Sequence, residues 1–158
     1  MSVLEHLGKG TLPHELESAF VNWCMWEQAR SAVIAVLDKT DLQPLLTQFQ
    51  QAADLAALTA VAQRAVDETA RARDTGPLAL SAAKAVAFEF NNLVKVADGE
   101  DFDAEAAAFF AARVCGWAAW AAADFSDVTR KTEAEAEARR EQAERLSALW
   151  QQHDQPRR

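Results

Sequence analysis

The sequence predicts an all-α protein, a single-domain bundle of about five helices, and three observations carry that expectation. Alanine dominates the composition, while the 158 residues hold only five Gly, four Pro and no Tyr; alanine is the best helix former, glycine and proline the worst. Apolar residues recur at spacings of three and four, the period of one helix face. Finally, "AAAFFAARVCGWAAWAAADF", Ala106 to Phe125, carries a single charge, Arg113, before Ala123. A helix that is apolar on every side suits the centre of a bundle.

A chain of 158 residues is about one domain and long enough to bury a real core. Residues 1–10 read as a short arm ending at Gly8 and Gly10, and 153–158 as a frayed tail. The first helix is "TLPHELESAFVNWCMWEQARSAVIAVLDK", with Thr11 as N-cap and Pro13 in its first turn. Its seam is Leu16, Phe20, Trp23, Glu27, Arg30, Ile34 and Leu37. "KTDLQPLL" is the next break, with Thr40 or Asp41 as cap and Pro44 in the opening turn.

The second helix runs to about Arg73 and turns Leu45, Phe49, Ala52, Leu55, Leu58, Ala62 and Ala65 or Val66 inward. Gly76 and Pro77 stop it and start the third, from about Leu78 to Ala97. "DGEDFD" separates the third from the apolar central helix, about 103–124. A charge-laced fifth helix covers about Asp127 to Gln152. No Gly or Pro marks the step at "DFSDVT", where a bend with Ser126 as cap is expected.

The central stretch has nearly the length of a membrane span. Alanine supplies little transfer energy, however, and Arg113 near its middle would cost a few kcal/mol in a bilayer. The expectation is a core helix, with Phe109, Phe110, Trp117 and Trp120 filling the space between small residues.

A net charge of -8 and a pI near 4.9 argue against nucleic acid and against an anionic membrane surface. A basic protein partner suits the chain better. The N-terminal "MSVLEHLGKGTLPHEL" has neither the basic nor the apolar region of a secretory signal, so a cytoplasmic location is expected. Cys24 and Cys115 sit inside apolar helical patterns, as buried free thiols do. Trp23 and Trp26 stand three apart on the first helix, Trp117 and Trp120 on the fourth, which points to packing between those helices rather than to a bound cofactor.

Polar residues on the apolar faces are more informative. Glu27 and Arg30 fall on the seam of the first helix, Glu89, Asn91 and Asn92 lie in "AFEFNNLV", and Arg113 interrupts the central helix. Buried charges must pair or neutralise. Glu27, Arg30, Glu89, Asn92 and Arg113 are therefore expected to form one interior network linking the first, third and fourth helices. That network either fixes helix register or binds a small polar ligand or cation.

No metal or catalytic pattern is present. His6, His14 and His153 form no Glu-x-x-His pair, and the Cys–His spacings match no zinc site. Glu141-x-x-Glu144 lacks the downstream Glu-x-x-Asp of helical nucleotide pyrophosphohydrolases. No cofactor is expected and the chain does not read as an enzyme.

The acidity is local. "DGEDFDAE" places Asp98, Glu100, Asp101, Asp103 and Glu105 together without a cation. From Ser126 onward, seven basic side chains balance seven acids. Helix capping needs one or two acids; the surplus marks a surface for a basic partner, with Phe102 as an apolar anchor.

"WEQARSAVIAVLDK", "CGWAAWAAA" and "EARREQAERLSALW" resemble bacterial helical immunity proteins of polymorphic-toxin systems, over about half of the chain. That family usually carries Trp-Gln where Glu141-Gln142 stand here. The resemblance implies a cytoplasmic binding protein that neutralises a toxin. The reading is thus a non-enzymatic helical interaction protein. The alternatives are a ligand-binding bundle at the interior Glu/Arg cluster and a homodimeric scaffold built on the Ala-rich faces.

Overall fold

The computed structural model describes residues 12–71, 78–99, 102–123 and 126–153, and among them there is no strand. α1 (His14–Trp23) runs through a π-helical turn, Cys24–Ala29, into α2 (Arg30–Leu37). α3 (Gln43–Gln51), α4 (Leu55–Arg71), α5 (Leu78–Asp98), α6 (Ala104–Ala122) and α7 (Thr129–His153) follow. Counting α1, the π turn and α2 as one rod, the described residues form six helices rather than five. Thr11, Gly76 and Pro77, and the expected arm over 1–10, lie outside the described residues, as do 154–158 of the expected tail.

The first rod departs from the predicted seam. The buried residues are Leu16, Phe20, Val21, Cys24, Met25, Gln28, Ala29, Val33, Val36 and Leu37. Trp23, Arg30 and Ile34 are half-buried, and Glu27 is exposed. In the π turn the Arg30 amide donates to Met25 O, five residues back, instead of to the carbonyl four back. The wider turn lets two adjacent pairs, Cys24–Met25 and Gln28–Ala29, face inward. A constant α-helical period cannot represent that.

At the end of this rod the Thr40 hydroxyl donates to Leu37 O and accepts from the Leu42 amide, tightening the link to α3. Neither Thr40 nor Asp41 caps α3. Its N-cap is Leu42, without a side-chain bond, and Pro44 sits in the opening turn as expected.

The predicted second helix divides in two. Ala52 adopts an extended conformation (φ -61°, ψ 119°) at the end of α3. Asp54 then starts α4 by accepting from the Ala57 amide at 2.7 Å, as an N-cap aspartate does. Arg30 closes the other side of the break. Its Nε and Nη2 donate to Phe49 O at 3.0 and 2.7 Å, and Nη2 also reaches Gln50 O at 2.8 Å. A cation on the last carbonyls of a helix satisfies acceptors that have no partner within it.

α6 is central. It packs most extensively against α5 and α7, and also touches α1, the π turn and α2. Asp103 is its N-cap, accepting from the Ala106 amide at 3.2 Å. Ala104, Ala107, Ala108, Ala111, Ala112, Val114, Gly116 and Ala121 are buried, so small residues bring the neighbours close. It is not apolar-buried all round, however: Phe109 is 53% exposed, and Trp117 and Trp120 are half-buried.

α6 and α7 are separate helices. Ser126 does not cap α7; its hydroxyl donates back to Ala123 O at the end of α6. Asp127 serves the start of α7, accepting from the Thr129 amide and hydroxyl, which hold its carboxyl below the usual range. The two helices run antiparallel, with Gln142 beside Ala108 and Glu135 beside Gly116. A Cβ on Gly116 would lie 2.5 Å from Glu135 Cγ, so the glycine is what lets α7 approach there.

Candidate functional site

The polar residues expected to form one interior network do not form one: of the five, Glu89 and Arg113 pair, and Glu27, Arg30 and Asn92 lie apart. Arg113 Nε donates to Glu89 Oε1 at 2.9 Å, joining α6 to α5. Glu89 is nearly buried, with a side chain 10% exposed, while that of Arg113 is 32% exposed. The guanidinium also lies over the Phe109 ring, 5.6 Å from its centroid. Arg30 instead closes α3 and stacks over Trp26 at 5.2 Å.

Glu27 is exposed and does not join the interior; the π turn rotates it outward. Asn91 is buried and donates to Gln63 Oε1 on α4 at 3.5 Å, whereas Asn92 is half-buried. No hydrogen bond or ion pair among the described residues joins Glu27 or Arg30 to Glu89 or Arg113.

A different network occupies the core. Gln142, fully buried, donates through Nε2 to Gln28 Oε1 and to Ala108 O, both at 2.8 Å. Its Oε1 accepts from Arg139 Nη1 at 2.9 Å. Gln28 Nε2 in turn donates to Ala138 O at 3.0 Å and to Glu141 Oε2 at 3.4 Å. Two uncharged amides thus tie the π turn, α6 and α7 together with their hydrogen-bonding capacity used. Amides carry no charge to mark them on an apolar face, so Gln28 and Gln142 do not stand out in the sequence. The spacing of four from Ala138 to Gln142 to Leu146 was the signal available.

Beside this network lie the two free cysteines. Cys115 Sγ donates weakly to Gln28 O at 3.9 Å. Burial pushes its thiol up to about 12, with a smaller contribution from the Glu141 carboxylate. Burial raises the Cys24 thiol further still. Both therefore stay protonated at neutral pH, and a protonated thiol is a poor nucleophile. Among the described residues no group of three His, Cys, Asp or Glu could hold a metal, and no helix is long and apolar enough to cross a membrane.

No known protein family, curated protein or solved structure matches the chain.

Two places on the surface of the described residues suit contact. One is the acidic end of the bundle, at the α5–α6 link. Asp98, Asp103 and Glu105 are exposed there; Glu100 and Asp101 lie outside the described residues. Only Asp103 is engaged in capping. Asp98 and Glu105 make no side-chain hydrogen bond or ion pair among the described residues. Phe102 is half-buried, packed on the core and edge-on to His14 at 5.4 Å, so it is no free anchor.

Trp150, 40% exposed, is better placed. α7 runs antiparallel to α6, so Trp150, eight residues beyond Gln142, lies toward the end of the bundle where α6 begins. The second place is the outer face of α6. There Glu105 is exposed, Phe109 is exposed and Arg113 half-buried at successive steps of four residues.

The two tryptophan pairs divide differently from expectation. Trp117 and Trp120 pack on each other, centroids 5.5 Å apart, and Lys131 of α7 lies 4.4 Å over Trp117. Trp23 and Trp26 are half-buried against the core.

Proposed function

We propose that this chain is a non-enzymatic helical binding protein, immunity-like and cytoplasmic, which engages and neutralises a basic protein partner at the acidic end of the bundle. The observation that carries the reading is the surplus of acid there: Asp98 and Glu105 are exposed and make no side-chain hydrogen bond or ion pair among the described residues. Exposed like charges held close together repel, and a cationic surface relieves that repulsion. Trp150 supplies the aromatic anchor at the same end, of the residue type most enriched at binding hot spots. The buried Gln28, Glu89 and Gln142 support the same reading, since each is engaged by another part of the chain.

The test is stopped-flow association with a partner recovered from the native organism, at several salt concentrations. Converting Asp98, Glu100, Asp101, Asp103 and Glu105 to their amides slows association and flattens its salt dependence, because exposed charges act through long-range steering. Trp150→Ala mainly speeds dissociation. An on-rate and salt slope that do not respond to the amide variant overturn the proposal.

A further inference from the structure

The outer face of α6 carries an exposed acid, an exposed aromatic and a half-buried cation in line: Glu105, Phe109 and Arg113. The spacing of four residues keeps all three on one side of the helix. Phe109 is 53% exposed, and on the neighbouring α5 Phe88 is 58% exposed. Arg113 is held in place but not used up. Its Nε is bound to Glu89 and its plane lies on Phe109, while its terminal nitrogens make no hydrogen bond among the described residues.

This order of charge is its own complement. If a second α6 is laid antiparallel across the first, with a two-fold axis at Phe109, Glu105 of each copy meets Arg113 of the other. The two Phe109 rings then cover each other at the axis. We infer that this face is the interface of a homodimer, with a second copy of the chain as its occupant.

An isologous contact needs such a self-complementary patch. The guanidinium is the group suited to serve two carboxylates, because it presents five N–H donors in a fixed fork. Helix α6 is about 28 Å long at 1.5 Å per residue, and α5 widens the strip by one interhelical spacing of roughly 10 Å. Such a patch buries about 1,000 Å² in total, the lower end of specific interfaces. The dimer is therefore in exchange with monomer rather than obligate. Asp98 and Asp103 take no part, while Glu105 is shared with the acidic-end reading; Phe109→Lys, which leaves every acid in place, separates the two.

Sedimentation velocity on the full chain, from low micromolar to submillimolar concentration, tests it. The wild type should show a concentration-dependent monomer–dimer equilibrium. Phe109→Lys should be monomeric throughout with unchanged circular dichroism, since the side chain it alters is exposed. Glu105→Arg should weaken the dimer at least roughly tenfold, by placing a cation opposite Arg113. An equimolar mixture of Glu105→Arg and Arg113→Glu chains should form heterodimers in native mass spectrometry, where neither chain pairs with itself. Should Arg113→Glu fail to fold, because it sets a second acid beside Glu89, the Phe109→Lys result decides alone. A wild type that stays monomeric, or a dimer indifferent to Phe109→Lys, overturns the inference. So does a Phe109→Lys chain that loses a basic protein partner without any change in oligomeric state.

Discussion

Gln142 on α7 donates to Gln28 Oε1 in the π turn at 2.8 Å, across 114 residues of sequence, and both side chains are buried. The same Gln142 amide reaches Ala108 O, so one residue fixes the mutual position of three helices. Removing it strands partners as well as contacts. Gln142→Ala should destabilise by about 2–4 kcal/mol, a buried hydrogen bond plus the space left behind. Gln142→Leu keeps the volume but leaves the Gln28 oxygen without its donor, and should cost about 1–3 kcal/mol. Urea denaturation reads both. The double variant Gln28→Leu/Gln142→Leu should recover part of the loss, and strict additivity would show that the two amides do not act together.

Glu89 and Arg113 form the other cross-helix pair, and its unequal exposure sets the expected effect. Glu89→Ala leaves a guanidinium that is still 32% exposed and able to regain water. The loss should be about 1–2 kcal/mol, between an exposed pair and the 3–5 kcal/mol of a fully buried one. Glu89→Gln should lose less, since its carbonyl oxygen still accepts from Nε. A loss above the fully buried range would mean that Arg113 cannot reach solvent.

Gly116→Ala reverses the usual sign of a glycine replacement within a helix. Alanine would ordinarily stabilise by about 1 kcal/mol. Here its methyl falls 2.5 Å from Glu135 Cγ, and the acid must leave its place beside Lys131. A net loss of about 1–3 kcal/mol is expected from overpacking. In a Glu135→Ala background the same substitution should become neutral or stabilising. Thermal melts of the four chains form the cycle.

The thiols give a pH dependence whose direction is fixed. Burial raises Cys115 from its ordinary 9.0 to about 12 and Cys24 in the same direction. In the unfolded chain both lose their protons near the ordinary value, while the folded chain keeps them. Stability contributed by these groups is therefore complete below pH 9 and declines as pH rises above it. The decline should be shallower in a Cys24→Ala/Cys115→Ala chain, which removes the thiols and leaves the lysines. Native protein should also react slowly with a disulfide reagent at pH 8, and fast once denatured; fast reaction of the folded protein would contradict the burial.

The helical class was legible because composition and period act along the whole chain. The central place of α6 and Pro44 in the opening turn of α3 follow from local rules; of the expected five-residue network only the Glu89–Arg113 pair forms. The division of the second helix did not. Its break at Ala52 depends on Arg30 arriving from another helix to take the carbonyls of Phe49 and Gln50, and no local signal announces a cap from so far away. Glu27 was misplaced for a related reason. Trp23, Glu27 and Arg30 make a plausible helical stripe, but Cys24, Met25, Gln28 and Ala29 are the residues that pack. Asp98 and Glu105 could be named from sequence, whereas Trp150 and Phe109 could not, because exposure is decided by how the helices meet.

The π turn has a further consequence for how this chain is aligned with any other. Each residue of an α-helix advances the side-chain direction by about 100°. A chain that built the same rod without the wide turn would be one residue shorter between Val21 and Val33. If the chain kept its length but wound this turn as a regular α-helix, either Leu16 and Phe20 or Val36 and Leu37 would have to swing out of the core. A pairwise comparison without a gap would then set the core of one rod against the surface of the other on one side of the turn. The place to open that gap is within Cys24–Ala29, where neither half of the rod loses its register.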